Sequence, residues 1–358
     1  MRRIYYLGGF IPVGLALKLG GAAPTLVFVA SALGMLAAAA LMSDATEQLA
    51  ERSGPGVAGL LNVTFGNTPE LIIALFALGD GLHEVVKASL VGSVIGNSLL
   101  VLGAAMLAGG RKRTRQTFSR IAAQTQSGML LVTVAALILP AVFQLVHSGS
   151  LPRVGERRHY FGHQVEQLSL WVALILIATY LAGLLFSLRT HRDLFRPSSR
   201  EDASGEWSVR RSIVSLAGAA VLVSVASDTL VGSIEHTSRD IGLSQFFVGV
   251  FVVGVVGNAA EHYVAVVAAV KDKMDLAVNI AIGSSAQIGL FVAPLVVLFS
   301  FAVGPAPMPL VFNGYELVAL LVTALITATL TADGESSWFE GVQLISMYAL
   351  LGLVFAFA

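Results

Sequence analysis

Cysteine is absent from the 358-residue sequence, which excludes disulfides, thiolate chemistry and metal sites built on sulfur. Charge is scarce. Only 12% of residues are Asp, Glu, Lys or Arg, about half the share found in a soluble domain. Acidic and basic residues number 22 each, so the formal net charge is zero and nothing argues for a nucleic-acid partner. Signatures of enzymes are also missing. His83-Glu84-Val85-Val86-Lys87 lacks the second histidine of a zinc-protease motif, and no nucleophile–base pair stands out. No resident cofactor is called for.

What is there instead is apolar. Hydrophobic residues make up 56% of the chain, and apolar runs of about 20 residues recur from end to end, the length a bilayer-crossing helix needs. A membrane β-barrel shows short alternating segments instead. The expectation is an all-α polytopic membrane protein with eleven transmembrane helices, at 4–20, 24–42, 56–79, 85–108, 118–146, 168–188, 209–233, 243–270, 276–301, 310–331 and 338–357. Arg2 and Arg3 ahead of a short apolar run also fit a signal peptide cleaved near Ala22 or Ala23; the run is read as a first membrane helix.

Alternating the spans across the bilayer places 16 of the 22 Lys and Arg residues on the side of the N-terminus. Lys18, Lys87, Arg153, Arg157, Arg158 and Arg239 fall on the other side. The positive-inside rule then predicts a cytoplasmic N-terminus and an extracytoplasmic C-terminus. A polar, Pro-containing stretch at 189–208 reads as a cytoplasmic linker. It separates an N-terminal helix (1–22) and a first five-helix repeat (23–188) from a second five-helix repeat (209–358).

The halves register on one another. A shift of 191 residues puts Gly66 on Gly257, Asn67 on Asn258, Glu70 on Glu261, Gly92 on Gly283 and Ser93 on Ser284. An odd number of spans per half inserts the second copy upside down. Inverted repeats of this kind are an architecture of secondary transporters, with the ion site near the midplane. A carboxylate at such depth costs at least about 2.5–3.5 kcal/mol on insertion scales and reads as functional.

Around Glu70 the residues Gly66, Ala74 and Ala77 share its helix face and admit a neighbouring helix closely. Gly66, Asn67 and Pro69 predict a locally opened helix with carbonyls of the 65–67 region turned to a cation. The second copy has Ala259-Ala260 and no proline, so opening there would rest on Gly257 alone and is expected to be weaker. The following helix of each copy adds Ser93 and Asn97, or Ser284 and Gln287, as ligands or as hydrogen-bonding contacts between helices. Together with Glu70 and Glu261 they form an all-oxygen set that suits a hard cation such as Ca²⁺, with about six to eight oxygen ligands. Two carboxylates balance one divalent ion. When the ion leaves, they repel each other and protons relieve the repulsion, which makes exchange. Glu84 and Asp275 lie near loops and read as solvated. Glu47 and Asp228 read as matched residues at helix ends, with surface placement and cation access both open. His262 points about 100° away from Glu261 and is expected to pack against a neighbour.

The stretch Phe65-Gly66-Asn67-Thr68-Pro69-Glu70-Leu71-Ile72, followed by Glu84 to Asn97, resembles the first repeat of calcium/proton exchangers. Gly257-Asn258-Ala259-Ala260-Glu261-His262, followed by Ile282 to Ile288, resembles their second repeat. These proteins belong to the wider cation/calcium exchanger superfamily. The resemblance implies an eleven-helix fold in a prokaryotic plasma membrane and Ca²⁺ expulsion driven by inward proton flow. It assigns Glu70 and Glu261 to alternate Ca²⁺ and proton binding, with Asn97 and Gln287 assisting. Gln287 favours the proton-coupled branch over sodium/calcium exchangers. Many relatives carry a strongly acidic segment between the halves; residues 189–208 hold four acids and four arginines instead. Pro69 stands where a small residue is usual. A sodium/calcium exchanger is the near alternative and a cation channel with acidic selectivity residues the distant one. Self-association is left open.

Overall fold

In hydrocarbon every backbone N–H and C=O needs a partner within the protein, and a helix supplies them locally. The architecture, a computed structural model, describes residues 4–53, 61, 64–156, 160–186, 189 and 207–358. Over these residues the apolar runs are helices. A 3-10 turn at Ile4–Gly9 leads into α1 (Phe10–Leu19), followed by α2 (Pro24–Arg52) and α3 (Thr68–Gly79). Then come α4 (His83–Gly110), α5 (Arg120–Ser148) and α6 (His163–Leu185). The second half holds α7 (Val209–Ile241), α8 (Gln245–Gly257), α9 (Ala259–Val270), α10 (Met274–Phe299), α11 (Gly314–Leu330) and α12 (Trp338–Ala356). The expected linker lies outside the described residues apart from Arg189, Trp207 and Ser208.

Seven helices among the described residues (α2, α4, α5, α6, α7, α10 and α12) are long and apolar enough to cross a bilayer. The pair α8 and α9 meets the same test as one span bent by 62°. Three shorter apolar stretches, Ile4–Leu19, Thr68–Gly79 and Gly314–Leu330, fall where the other expected spans lie. The chain is a multi-pass membrane protein.

Several expected edges move. Helix α2 runs on to Arg52 rather than residue 42, and α7 to Ile241 rather than 233. Both continue past the apolar core because the added turns put polar residues on an exposed side. One departure from an all-α fold ties two connections together: β1 (Gln116–Thr117) pairs antiparallel with β2 (Glu335–Ser336). Lys87, counted above among the basics of one loop face, is in fact buried within α4.

At the centre α4 and α10 are enclosed by the other helices, while α5, α6, α7 and α12 show much of their apolar surface to the surroundings. Each central helix contains a π segment, Gly96–Val101 in α4 and Ile288–Val292 in α10, and α8 has a third at Gly249–Val253. Such insertions are frequent where function bends a helix away from regular geometry. Between α4 and α10, Ser98 Oγ donates to Ser285 Oγ at 2.7 Å, and Ser285 Oγ lies 2.9 Å from the Ala281 carbonyl.

Helices α4 and α8 touch backbone to backbone. A Cβ on Gly92 would lie 2.1 Å from the Val250 carbonyl oxygen, and one on Gly254 would lie 2.8 Å from the Gly92 carbonyl carbon. Gly128 in α5, by contrast, has nothing within 4 Å of its added Cβ. Gly92→Ala is therefore expected to lower thermal stability in detergent by about 3 kcal/mol or to prevent folding, since only backbone can give way. Gly128→Ala leaves the unfolding midpoint at or above that of the parent; equal midpoints for the two variants would contradict this packing.

Candidate functional site

Each half interrupts a helix at an asparagine. Asn67 sits at φ −96°, ψ 12° and Asn258 at φ −95°, ψ 4°, the sparsely populated bridge between helical and extended backbone. The two breaks match although only the first is followed by proline. Pro69 is therefore not what opens the helix. It occupies the first turn of α3, where its missing N–H has no intrahelical bond to lose. The weaker opening expected in the second copy is overturned by the 62° bend between α8 and α9. Both breaks fall on an asparagine whose side chain bonds to the opposite half.

Restarting the helix at the break puts Glu70 in the first turn of α3 and Glu261 in the first turn of α9. Unpaired N–H groups and the helix dipole favour a negative charge there. Not every expected carbonyl is open: that of Asn67 accepts from the Leu71 N–H at 3.1 Å and that of Asn258 from the His262 N–H at 3.0 Å. Each retains a second lone pair.

The carboxylates are seated reciprocally. A Cβ on Gly257 would lie 2.8 Å from Glu70 Oε1, and a Cβ on Gly66 would lie 3.3 Å from Glu261 Oε1. Each acid thus rests on the glycine of the other half, and the two are near enough to repel when both are charged. Glu70 is 7% exposed, and both its carboxylate oxygens are buried without a hydrogen-bond partner among the described residues. A buried acceptor left in this way calls for a cation or a proton. Glu261 Oε2 accepts from Ser284 Oγ at 2.5 Å.

The remaining expected residues form two cross-links between the halves. Asn67 Nδ2 donates to Gln287 Oε1 at 2.8 Å. On the other side Asn258 Nδ2 donates to the Gly254 carbonyl and to Ser93 Oγ, both at 2.9 Å. The backbone carbonyl fixes the orientation of the whole chain of amides. Asn258 Oδ1 must then accept from Asn97 Nδ2 (3.5 Å), and Asn97 Oδ1 must accept from His262 Nε2 (2.8 Å). His262 therefore carries its proton on Nε2. This corrects the expectation that His262 only packs: it closes the network that orients Asn97. It also turns the Asn97 oxygen to a donor, which makes Asn97 an orienting residue in this conformation. A histidine next to Glu261 was visible in the sequence, but its partner is 165 positions away.

The other acids fall elsewhere. Glu84 and Asp275, read as solvated, are half-buried and structural: Glu84 Oε1 accepts from the Gly155 N–H at 2.6 Å and Asp275 Oδ1 from the Ser119 N–H at 2.5 Å. They hold the connections at the two ends of α5. Glu47 lies in the last two turns of α2 and Asp228 well inside α7, and they are not counterparts; the 191-residue shift sets Glu47 against Ser238 and Asp228 against Ala37. Glu47 is exposed near the end of α2, and Asp228 is held by Lys18 at 2.6 Å beside the α1–α2 connection at the opposite end. Among the described residues no three His, Asp or Glu side chains converge on one point. The candidate site pairs two acids, one from each half, with neutral polar side chains nearby.

The chain matches the family described as sodium/calcium exchanger protein over residues 23–189 and 211–357, one stretch in each half. It is 40% identical to the Ca(2+)/H(+) antiporter of Synechocystis sp., covering 97% of this chain and 95% of that protein. It is 38% identical to the Ca(2+)/H(+) antiporter ChaA of Bacillus subtilis, covering 99% of each. The solved structure of native YfkE superposes with a TM-score of 0.84 at 35% identity, over 99% of this chain and all of that one.

The reciprocal seating is testable by adding one methyl group to each half. Gly257→Ala forces Glu70 to move, whereas at Gly66 the neighbour need give only a few tenths of an ångström. Gly257→Ala is expected to weaken divalent-ion binding by about tenfold and Gly66→Ala by less, as titration of purified protein with labelled Ca²⁺ will read. Unchanged affinity in a folded Gly257→Ala variant would separate Glu70 from the site.

Proposed function

This chain belongs to the sodium/calcium exchanger protein family, and we infer that within it the protein is a Ca²⁺/H⁺ antiporter. It is a transporter and not an enzyme. The observation that carries the site assignment is the seating of Glu70 on Gly257 and of Glu261 on Gly66, which brings one acid from each half to a common place. Two carboxylates neutralise one Ca²⁺; Ser93, Ser284, Gln287 and backbone carbonyls near Gly66, Asn67, Gly257 and Asn258 provide neutral oxygens around it, and Asn97 orients the amides beside them. With the ion gone, protons occupy the same oxygens because two bare negative charges in a poorly hydrated place are unfavourable. Either cargo excludes the other, and that competition couples the two flows.

The reading extends to architecture. Eleven spans comprise the N-terminal helix of 1–22 and two inverted repeats, 23–188 and 209–358, joined by a cytoplasmic linker at 189–208. The N-terminus is cytoplasmic, the C-terminus is extracytoplasmic, and the membrane is a bacterial plasma membrane, in keeping with the bacterial relatives. Alternating access comes from α2 and α7, which pack against each other more extensively than any other helix pair among the described residues. Both helices bury small side chains, Ala37, Ala38 and Ala45 on α2 and Ala219 and Ala226 on α7, the kind of residue that lets helices approach closely.

Purified protein in liposomes with an imposed pH gradient and labelled Ca²⁺ tests the reading. Proton-driven uptake is expected in the parent and is expected to fall to the level of empty liposomes in Glu70→Gln and in Glu261→Gln. Coupled transport surviving in both variants would remove the site assignment. Uptake that follows a sodium gradient and ignores pH would make the protein a sodium/calcium exchanger, and flux without any counter-ion would make it a channel.

A further inference from the structure

Lys87 has no part in the exchange described above, yet it is a lysine enclosed within a central helix, 7% exposed. Its Nζ donates to the Val311 carbonyl at 2.8 Å and lies 5.2 Å over the ring of Phe161. Two acids act on its charge, Glu316 of α11 and Glu84 of its own helix. Glu316 is 2% exposed. Its Oε2 accepts from the Asn313 N–H at 2.8 Å, and Asn313 Oδ1 accepts from the Glu316 N–H at 2.9 Å, a reciprocal cap on α11. Glu316 Oε1 is buried with no hydrogen-bond partner. A cavity of about 40 Å³ opens between Lys87, Glu316, Val311 and Phe161, with Arg153 and Glu156 at its rim. That is room for a bridging water, and the groups around it are polar enough to hold one.

The backbone that Lys87 grips is unusual for a membrane protein. Residues 308–313 are buried and non-helical. Such a segment persists only where side chains satisfy its backbone groups. The Met308 N–H donates to Ser300 Oγ at 2.8 Å and the Leu310 N–H to Ser169 Oγ at 3.0 Å, while the Val311 carbonyl takes Lys87. Phe312, next along, lines one small void together with Val94 of α4 and Ile288 of α10. Those two residues adjoin Ser93 and Gln287. The grip of Lys87 is therefore carried by one aromatic ring to the level of the cation site.

We propose that Lys87 is a positioning residue that pins α4 to the buried 308–313 segment, with Glu316 as its counter-charge across a bridging water, and so sets the Ca²⁺ affinity seen from one face. The device exists once. The 191-residue shift puts Val278 at the place of Lys87, so the second half has no such clamp. The cavity lies among the α3–α4, α5–α6 and α10–α11 connections, the extracytoplasmic face in the topology proposed above. The inference rests on the antiport reading.

Right-side-out and inside-out vesicles carrying Lys87→Met, Lys87→Arg, Glu316→Gln and the double variant Lys87→Met/Glu316→Gln test it. Lys87→Met is expected to raise the apparent KM for Ca²⁺ about tenfold from the extracytoplasmic face and less than about twofold from the other. Lys87→Arg, which can still donate to the carbonyl, stays near the parent. Lys87→Met strands Glu316 and lowers the unfolding midpoint; the double variant recovers the midpoint because neither charge is left alone. It does not recover the affinity, since the Val311 carbonyl still lacks its donor. Equal KM shifts on both faces, or a parental KM in the stably folded double variant, would overturn the proposal. Glu70→Gln run beside them judges the antiport reading separately: its transport vanishes while the Lys87 variants continue to exchange.

Discussion

Two carboxylates are brought into a bilayer and left short of partners, and much of the surrounding structure follows from making that tolerable. Glu70 needs a glycine opposite because its oxygen lies where any Cβ on Gly257 would stand. It needs a helix that starts anew just before it, because only a first turn offers unpaired N–H groups to an anion. The break in turn needs an asparagine whose side chain reaches the other half, as Asn67 does to Gln287 and Asn258 to Ser93. Glycine, asparagine and glutamate at fixed spacing are thus one device, and the protein contains it twice.

The copies are alike in backbone and unlike in polar dress. Asn67 donates to the amide of Gln287. Asn258 heads a longer chain through Asn97 to His262, anchored on the Gly254 carbonyl. Around Asn258 a run of oriented amides ends in an imidazole.

The parts legible in the sequence were those that repeat. Gly66-Asn67 with Glu70 recurs as Gly257-Asn258 with Glu261 at the same shift that aligns Ser93 with Ser284, and no folding detail is needed to see it. The apolar runs gave the membrane class for a similar reason: bilayer thickness imposes their length. What stayed hidden depends on partners far along the chain. Pro69 looked like the helix breaker until the proline-free copy proved to break in the same way. His262 cannot be tied to Asn97, nor Lys87 to Val311, without the fold that brings them together. Helix ends were misjudged where polar turns continue beyond the apolar core, as in α2 and α7, because hydropathy marks the edge of the membrane and not the edge of the helix.

The half-helices α3 and α9 are 12 residues each. At 1.5 Å per residue that is about 18 Å, a little over half of a hydrocarbon core of about 30 Å. In the proposed topology, where each half-helix runs inward from one surface, an acid at its inner end would stand near mid-depth, where an electrical potential across the membrane has about half of its value. Two carboxylates holding one Ca²⁺ have no net charge, and neither do two carboxylates holding two protons. A voltage does work only on charge that moves through it. On the proposed exchange, both filled forms would change their exposure without feeling the field, and the potential would act on the site only when it is bare.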